Sequence, residues 1–114
     1  MRISYGDKSF LFTGDIGADA EEALLSGKVL TSTVLKAPHH GSRRSSTPAF
    51  LNAVRPSYVV VSVGRNNPFG FPNAESLENY ERAGAKVLRT DLNGAVEMTT
   101  DGKGLHVAAY GDGL

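Results

Sequence analysis

Val34-Leu-Lys-Ala-Pro-His-His-Gly-Ser42 is the stretch on which the reading of this chain turns. A short apolar run with strand character stops at Pro38, and two adjacent histidines, a glycine and Ser42-Arg43-Arg44-Ser45-Ser46 follow. His39 and His40 therefore stand at a strand end. The preceding strand-like run, Phe10-Leu-Phe-Thr-Gly-Asp15, finishes on an aspartate. Gly14 permits backbone angles that a Cβ resists, which aims Asp15 out of the sheet. Carboxylate and imidazole groups delivered by the C-terminal ends of neighbouring strands are a common way of building metal and catalytic sites in α/β folds. On an extended chain adjacent side chains alternate in direction, so at most one of the two histidines readily points at a given ion.

Outward from this stretch the chain alternates. Residues 3–5 and 9–12 flank a Gly6-Asp7 turn as a hairpin. Residues 18–26 are helical by propensity, acidic early, and stopped by Gly27. A strand over 33–37 carries the histidines at its end. Thr47-Pro48 is an N-cap with proline in the first turn, opening a helix over 49–54. Residues 58–62, Tyr-Val-Val-Val-Ser, are the plainest strand. Gly64 to Pro72 reads as a surface loop, and Asn73 caps a helix over 74–83 with Leu77 and Tyr80 on one face. Strands over 86–90, 95–99 and 105–109 are expected to form a three-stranded meander with turns at 91–94 and 101–104.

The 114 residues fit a single small domain. Lysine plus arginine balance aspartate plus glutamate at 12 each, so no global field favours nucleic acid or an anionic surface. Basic character is local. There is no cysteine, which leaves His, Asp, Glu and water as metal ligands and excludes disulfides. No apolar run approaches the ~18 residues of a membrane span, and Asp7 and Lys8 interrupt any signal-like N-terminus. Arg43, Arg44, Arg65, Asn66 and Asn67, with Ser42, sit on loops at the same strand ends and are candidate donors to phosphate oxygens; solvated loop residues are the plainer alternative. Phe69 and Phe71 either stack on bases or cover their own loop. Read alone, Asp15 is also a turn or cap aspartate, and His106, in the last strand, is a structural residue.

The run Leu-Phe-Thr-Gly-Asp15, then 34–42 with Ser45-Ser46, then Tyr58-Val-Val-Val-Ser-Val-Gly-Arg-Asn-Asn67 and Arg89-Thr-Asp-Leu-Asn-Gly94 resembles the metallo-β-lactamase fold, and within it the DNA-uptake competence family ComEC/Rec2. The resemblance implies an α/β chain forming the C-terminal half of an αββα sandwich, the N-terminal half being absent, so that 1–114 is one truncated domain. It implies one or two divalent ions, zinc or manganese, with Asp15 on the bridging aspartate and His40, ahead of His39, on a late histidine ligand. His39 then serves as a neighbouring catalytic or substrate-facing group. The family's His-x-His-x-Asp-His cluster has no counterpart before Asp15, and relatives often carry histidine where Phe71 stands. The implied function is part of a metal-dependent phosphodiesterase acting on DNA during uptake, the chain alone being inactive and holding no ion of its own. The implied setting is a soluble domain of a bacterial membrane protein, on the outer side of the cytoplasmic membrane and without direct membrane contact. Its partners would be DNA, the rest of the parent protein and a second copy of the chain. Two alternatives stand beside it: a non-catalytic module binding DNA or a partner protein, and another hydrolase of the same fold, such as a phosphorylcholine esterase.

Overall fold

A computed structural model describes residues 1–14, 16–25, 30–42, 45–64 and 70–110. Two strands, β1 (Arg2–Tyr5) and β2 (Lys8–Phe12), pair antiparallel across the Gly6-Asp7 turn. Then β3 (Val34–Lys36), β4 (Tyr58–Val61) and β5 (Lys86–Arg89) add in sequence order, each parallel to the last. Helices α1 (Ala18–Leu24), α2 (Pro48–Val54) and α3 (Ala74–Arg82) make the crossovers, and α4 (Thr90–Asn93) is a single turn. A separate antiparallel hairpin, β6 (Val96–Thr100) and β7 (Leu105–Ala109), completes the described chain. No helix among the described residues is long and apolar enough to cross a membrane.

The period-2 alternation of the strands decides the layers. Leu11, Leu35, Val59 and Val87 lie in one register row and pack, with Val61, against Phe50, Leu51 and Val54 of α2 and Tyr80 of α3. Fully buried side chains such as Leu35, Phe50 and Val59 contribute roughly 1.5–3 kcal/mol each. Local signals fix the helix ends. The Thr47 hydroxyl accepts from the Phe50 N–H at 3.3 Å with Pro48 behind it, and the Asn73 side chain accepts from the Glu75 N–H at 2.9 Å. On α3 the buried pair is Ser76 and Tyr80, with Leu77 only partly covered.

One expectation is corrected. Residues 86–89 do not open a meander; they form the fifth strand of the main sheet, Tyr58 pairing with Lys86 and Val61 with Arg89. Helix α3 returns the chain to the open edge of β4. Asn93 then folds back to accept the Arg89 N–H at 2.9 Å, which curls 90–93 into a helical turn where a hairpin was expected. Only β6 and β7 remain as a hairpin, and they lie over the face of the sheet that the helices leave open. There Ile3, Phe10, Phe12, Val34, Lys36 and Val60 face Val96 and Met98 across a groove of about 440 Å³. The hairpin is stapled at its tip: the Asp7 N–H donates to the Gly102 carbonyl at 2.6 Å. Gly6 has φ +58°, and a Cβ there would stand 2.4 Å from the Gly102 oxygen, so backbone meets backbone.

Candidate functional site

Because β2 to β5 are parallel, their C-terminal ends form one rim, and the loops after Phe12, Lys36, Val61 and Arg89 all start there. After β3 the chain tightens into a 3-10 turn, Pro38–Gly41, that carries both histidines. His40 takes a left-handed φ of 53°, a conformation a non-glycine residue holds only when its surroundings impose it. Its Nδ1 lies 2.7 Å from the Ser62 carbonyl oxygen at the end of β4. A carbonyl can only accept, so Nδ1 carries a proton; in the neutral ring the lone pair is then on Nε2, the atom through which such an imidazole ligates a metal. The ring stacks on Phe71 at 6.4 Å between centroids and 21° between planes. Gly41 closes the turn against the next loop, its carbonyl accepting the Asn73 N–H at 2.8 Å.

The rim continues toward β5. The Thr90 hydroxyl donates to the Val63 carbonyl and accepts from the Val63 N–H, both at 2.8 Å, fastening the residue after Ser62. Arg89 grips Asp91 through two bonds, Nε to Oδ1 at 3.0 Å and a terminal nitrogen to Oδ2 at 2.7 Å. The Arg89 side chain holds the Asp91 carboxyl below the usual carboxylate range. At the end of β2, Thr13 Oγ1 is buried with no hydrogen-bond partner among the described residues.

Behind the histidine turn lies a buried polar network that residue-by-residue reading did not find. The Ser45 hydroxyl bonds the carbonyls of Pro38 and Ser42 at 3.0 and 3.2 Å, and the Ser76 hydroxyl reaches the Ser42 carbonyl at 3.0 Å. Glu21 of α1 is 0% exposed and accepts the Ser46 and Thr47 N–H groups at 2.5 and 2.9 Å. The Ser46 hydroxyl meets the Tyr80 hydroxyl at 2.6 Å, and the Asn79 side chain donates to the Ser46 carbonyl at 3.1 Å. Burial pushes the Tyr80 phenol up to about 12; the nearby Glu21 charge adds to this and the Ser46 bond opposes it. The sequence signal for the network was the serine cluster at 42, 45 and 46, following a helix that is acidic early.

Of the residues singled out from sequence, His40 is at the rim, and Ser42 is beside it but 4% exposed, its carbonyl tying down the loop. Asp15, Arg43, Arg44, Arg65, Asn66, Asn67 and Phe69 lie outside the described residues, as does the side chain of His39. Phe71 lies against His40, and His106 is exposed on β7. Among the described residues no three His, Asp or Glu side chains gather closely enough to hold a metal ion. The tautomer of His40 fits the part of one ligand.

The metallo-beta-lactamase superfamily matches residues 1–65. Competence protein ComA of Neisseria gonorrhoeae is 45% identical over 101 residues, 86% of this chain and 14% of that protein. ComE operon protein 3 of Bacillus subtilis is 32% identical over 93 residues, 81% of this chain and 12% of that protein. Recombination protein 2 of Haemophilus influenzae is 37% identical over 98 residues, 84% of this chain and 12% of that protein. The chain thus spans less than a sixth of the length of these relatives. No solved structure gives a significant match. With its parallel sheet, its histidine turn at the strand ends and these relatives of the ComEC/Rec2 family, the chain belongs to the metallo-beta-lactamase superfamily, in its competence branch.

Proposed function

We propose that this chain is part of a competence-related metal-dependent phosphodiesterase that acts on DNA in the whole protein. The observation that carries the reading is His40, held in a left-handed turn at the rim with Nδ1 pinned to the Ser62 carbonyl, which in the neutral ring leaves the lone pair on Nε2. Asp15 and His40 would hold a divalent ion, zinc or manganese, with His39 alongside. Such an ion, when bound, lowers the pKa of water and stabilises charge on a phosphodiester oxygen. The chain's own part is to present an imidazole of fixed tautomer and to keep its turn rigid through Ser45, Ser76 and Glu21. Arg43, Arg44 and Arg65, with Ser42, Asn66 and Asn67, would meet the phosphates as charge-assisted or neutral donors. The setting proposed is a soluble part of a bacterial membrane protein facing the outer side of the cytoplasmic membrane, with DNA, the remainder of the parent protein and a second copy of the chain as partners.

The test is a phosphodiesterase assay on the whole parent protein with zinc or manganese and single-stranded DNA. Activity should depend on the ion and fall about 100-fold or more in His40→Ala and in Asp15→Ala, while the 114-residue chain alone shows no turnover, since two ligands cannot hold a reactive metal centre. Ion-independent binding of DNA with no cleavage would replace this reading with that of a binding module. Robust cleavage by the chain alone would show that its ligand set is complete.

A further inference from the structure

Among the described residues of the Pro38–Thr47 segment, two besides Gly41 take left-handed backbone angles, His40 (φ 53°) and Ser46 (φ 61°). Neither residue is glycine, and each such conformation costs about 1–3 kcal/mol unless its surroundings enforce it. At Ser46 the enforcing group is Glu21, with both carboxylate oxygens engaged, one on the Ser46 N–H and one on the Thr47 N–H. Capping alone does not account for this carboxylate, because the Thr47 hydroxyl already caps α2. Full burial of an acidic side chain is expensive, and a cap returns only about 0.5–2 kcal/mol. What Glu21 does in addition is tie α1 to the segment after the histidine turn: it grips the exit of the loop whose entrance carries His39 and His40. Ser45, immediately before the gripped residue, relays the hold to the entrance through its bond to the Pro38 carbonyl.

We infer that Glu21 is a positioning residue that sets His40 through the Ser46–Ser45–Pro38 chain of contacts. This deepens the proposed function and rests on His40 being the metal-facing histidine. Without the carboxylate, Ser46 relaxes toward ordinary φ, the loop turns, and Nδ1 leaves the Ser62 carbonyl. Glutamine at this position presents an N–H₂ to one of two N–H donors, so it keeps the shape and loses the grip.

The experiment is nitrogen NMR of the His40 ring in the metal-free 114-residue chain above neutral pH, beside thermal melts. Wild type is expected to hold the Nδ1–H tautomer, and Glu21→Gln to give the mixed-tautomer signal of an untethered histidine. Val54→Ala, at the far end of α2 where the Val54 carbonyl accepts the Ser32 N–H, should lower the melting temperature without changing the His40 signal. If Glu21→Gln and Val54→Ala both melt early and both keep the wild-type tautomer, Glu21 is merely structural and the inference is overturned. If Glu21→Gln does not fold, amide exchange on wild type decides: Ser46 and Thr47 must be protected like the core of α2, and exchange at open-loop rates overturns the inference. The two readings fail separately. Ion-dependent activity of the whole parent protein that survives His40→Ala counts against the metal role, while the tautomer difference between wild type and Glu21→Gln in the metal-free chain stands or falls without it.

Discussion

At the scale of single residues, Gly41 shows how narrowly the histidine turn is specified. Its φ is +80°, and a Cβ would sit 2.6 Å from the Pro72 Cβ and 3.0 Å from the Pro72 Cα. Gly41→Ala must therefore push the 70–73 loop away and strain its own backbone. We expect a loss of about 1–3 kcal/mol, read by chemical denaturation, with the His40 ring resonances shifted. The residues legible from sequence were those whose partners are near in the chain. Thr47 and Asn73 cap helices that begin at the next residue, and a cap needs only three or four residues to announce itself. His40 was legible because it follows a strand directly. Glu21 was not, since the amides it holds lie 25 and 26 residues further on and nothing local marks an acidic residue of α1 as buried.

Among the elements, the parallel strands were readable as apolar runs bounded by turns, and the order of helices between them followed. What could not be read was the partner of 86–89. A four-residue strand suits a meander or a parallel sheet equally, and the choice was made by the open edge of β4 and by Asn93 turning back on Arg89. Helix α3 carries a measurable consequence through Tyr80. Its pKa is raised by burial first, from 10.0 to about 12, so the neutral phenol is the form the fold favours. That contribution is complete below pH 10 and is lost as pH rises through 12, a window worth about 3 kcal/mol. Melting temperature should fall steeply between pH 10 and 12 in wild type and more gently in Tyr80→Phe, and equal slopes would mean that Tyr80 stays neutral for reasons other than the fold.

Over the whole molecule, the helices cover one face of the sheet and a single hairpin covers part of the other. Strand β1 is an edge whose four residues are all exposed, Ile3 at 49% and Tyr5 at 61%, and beside it runs the apolar groove lined by Phe10, Phe12 and Val60. Open edges and contiguous apolar patches both invite association. A two-fold dimer through this side is the expected state of the chain by itself, visible by sedimentation and shifted to monomer by Ile3→Lys; a stable wild-type monomer at high concentration would show that β6 and β7 suffice to close the core. The Gly6–Gly102 staple adds a matter of timing. It joins the β1–β2 turn to the β6–β7 turn, and closing so long a loop is entropically unfavourable. During synthesis the five strands of the sheet are all available once β5 emerges, but the β6–β7 hairpin cannot cover its apolar groove until Gly102 has left the ribosome. For that interval Phe10, Phe12, Val34 and Val60 lack the cover of Val96 and Met98, and a nascent chain is most open to capture by chaperones or by its own copies before its covering strands are made.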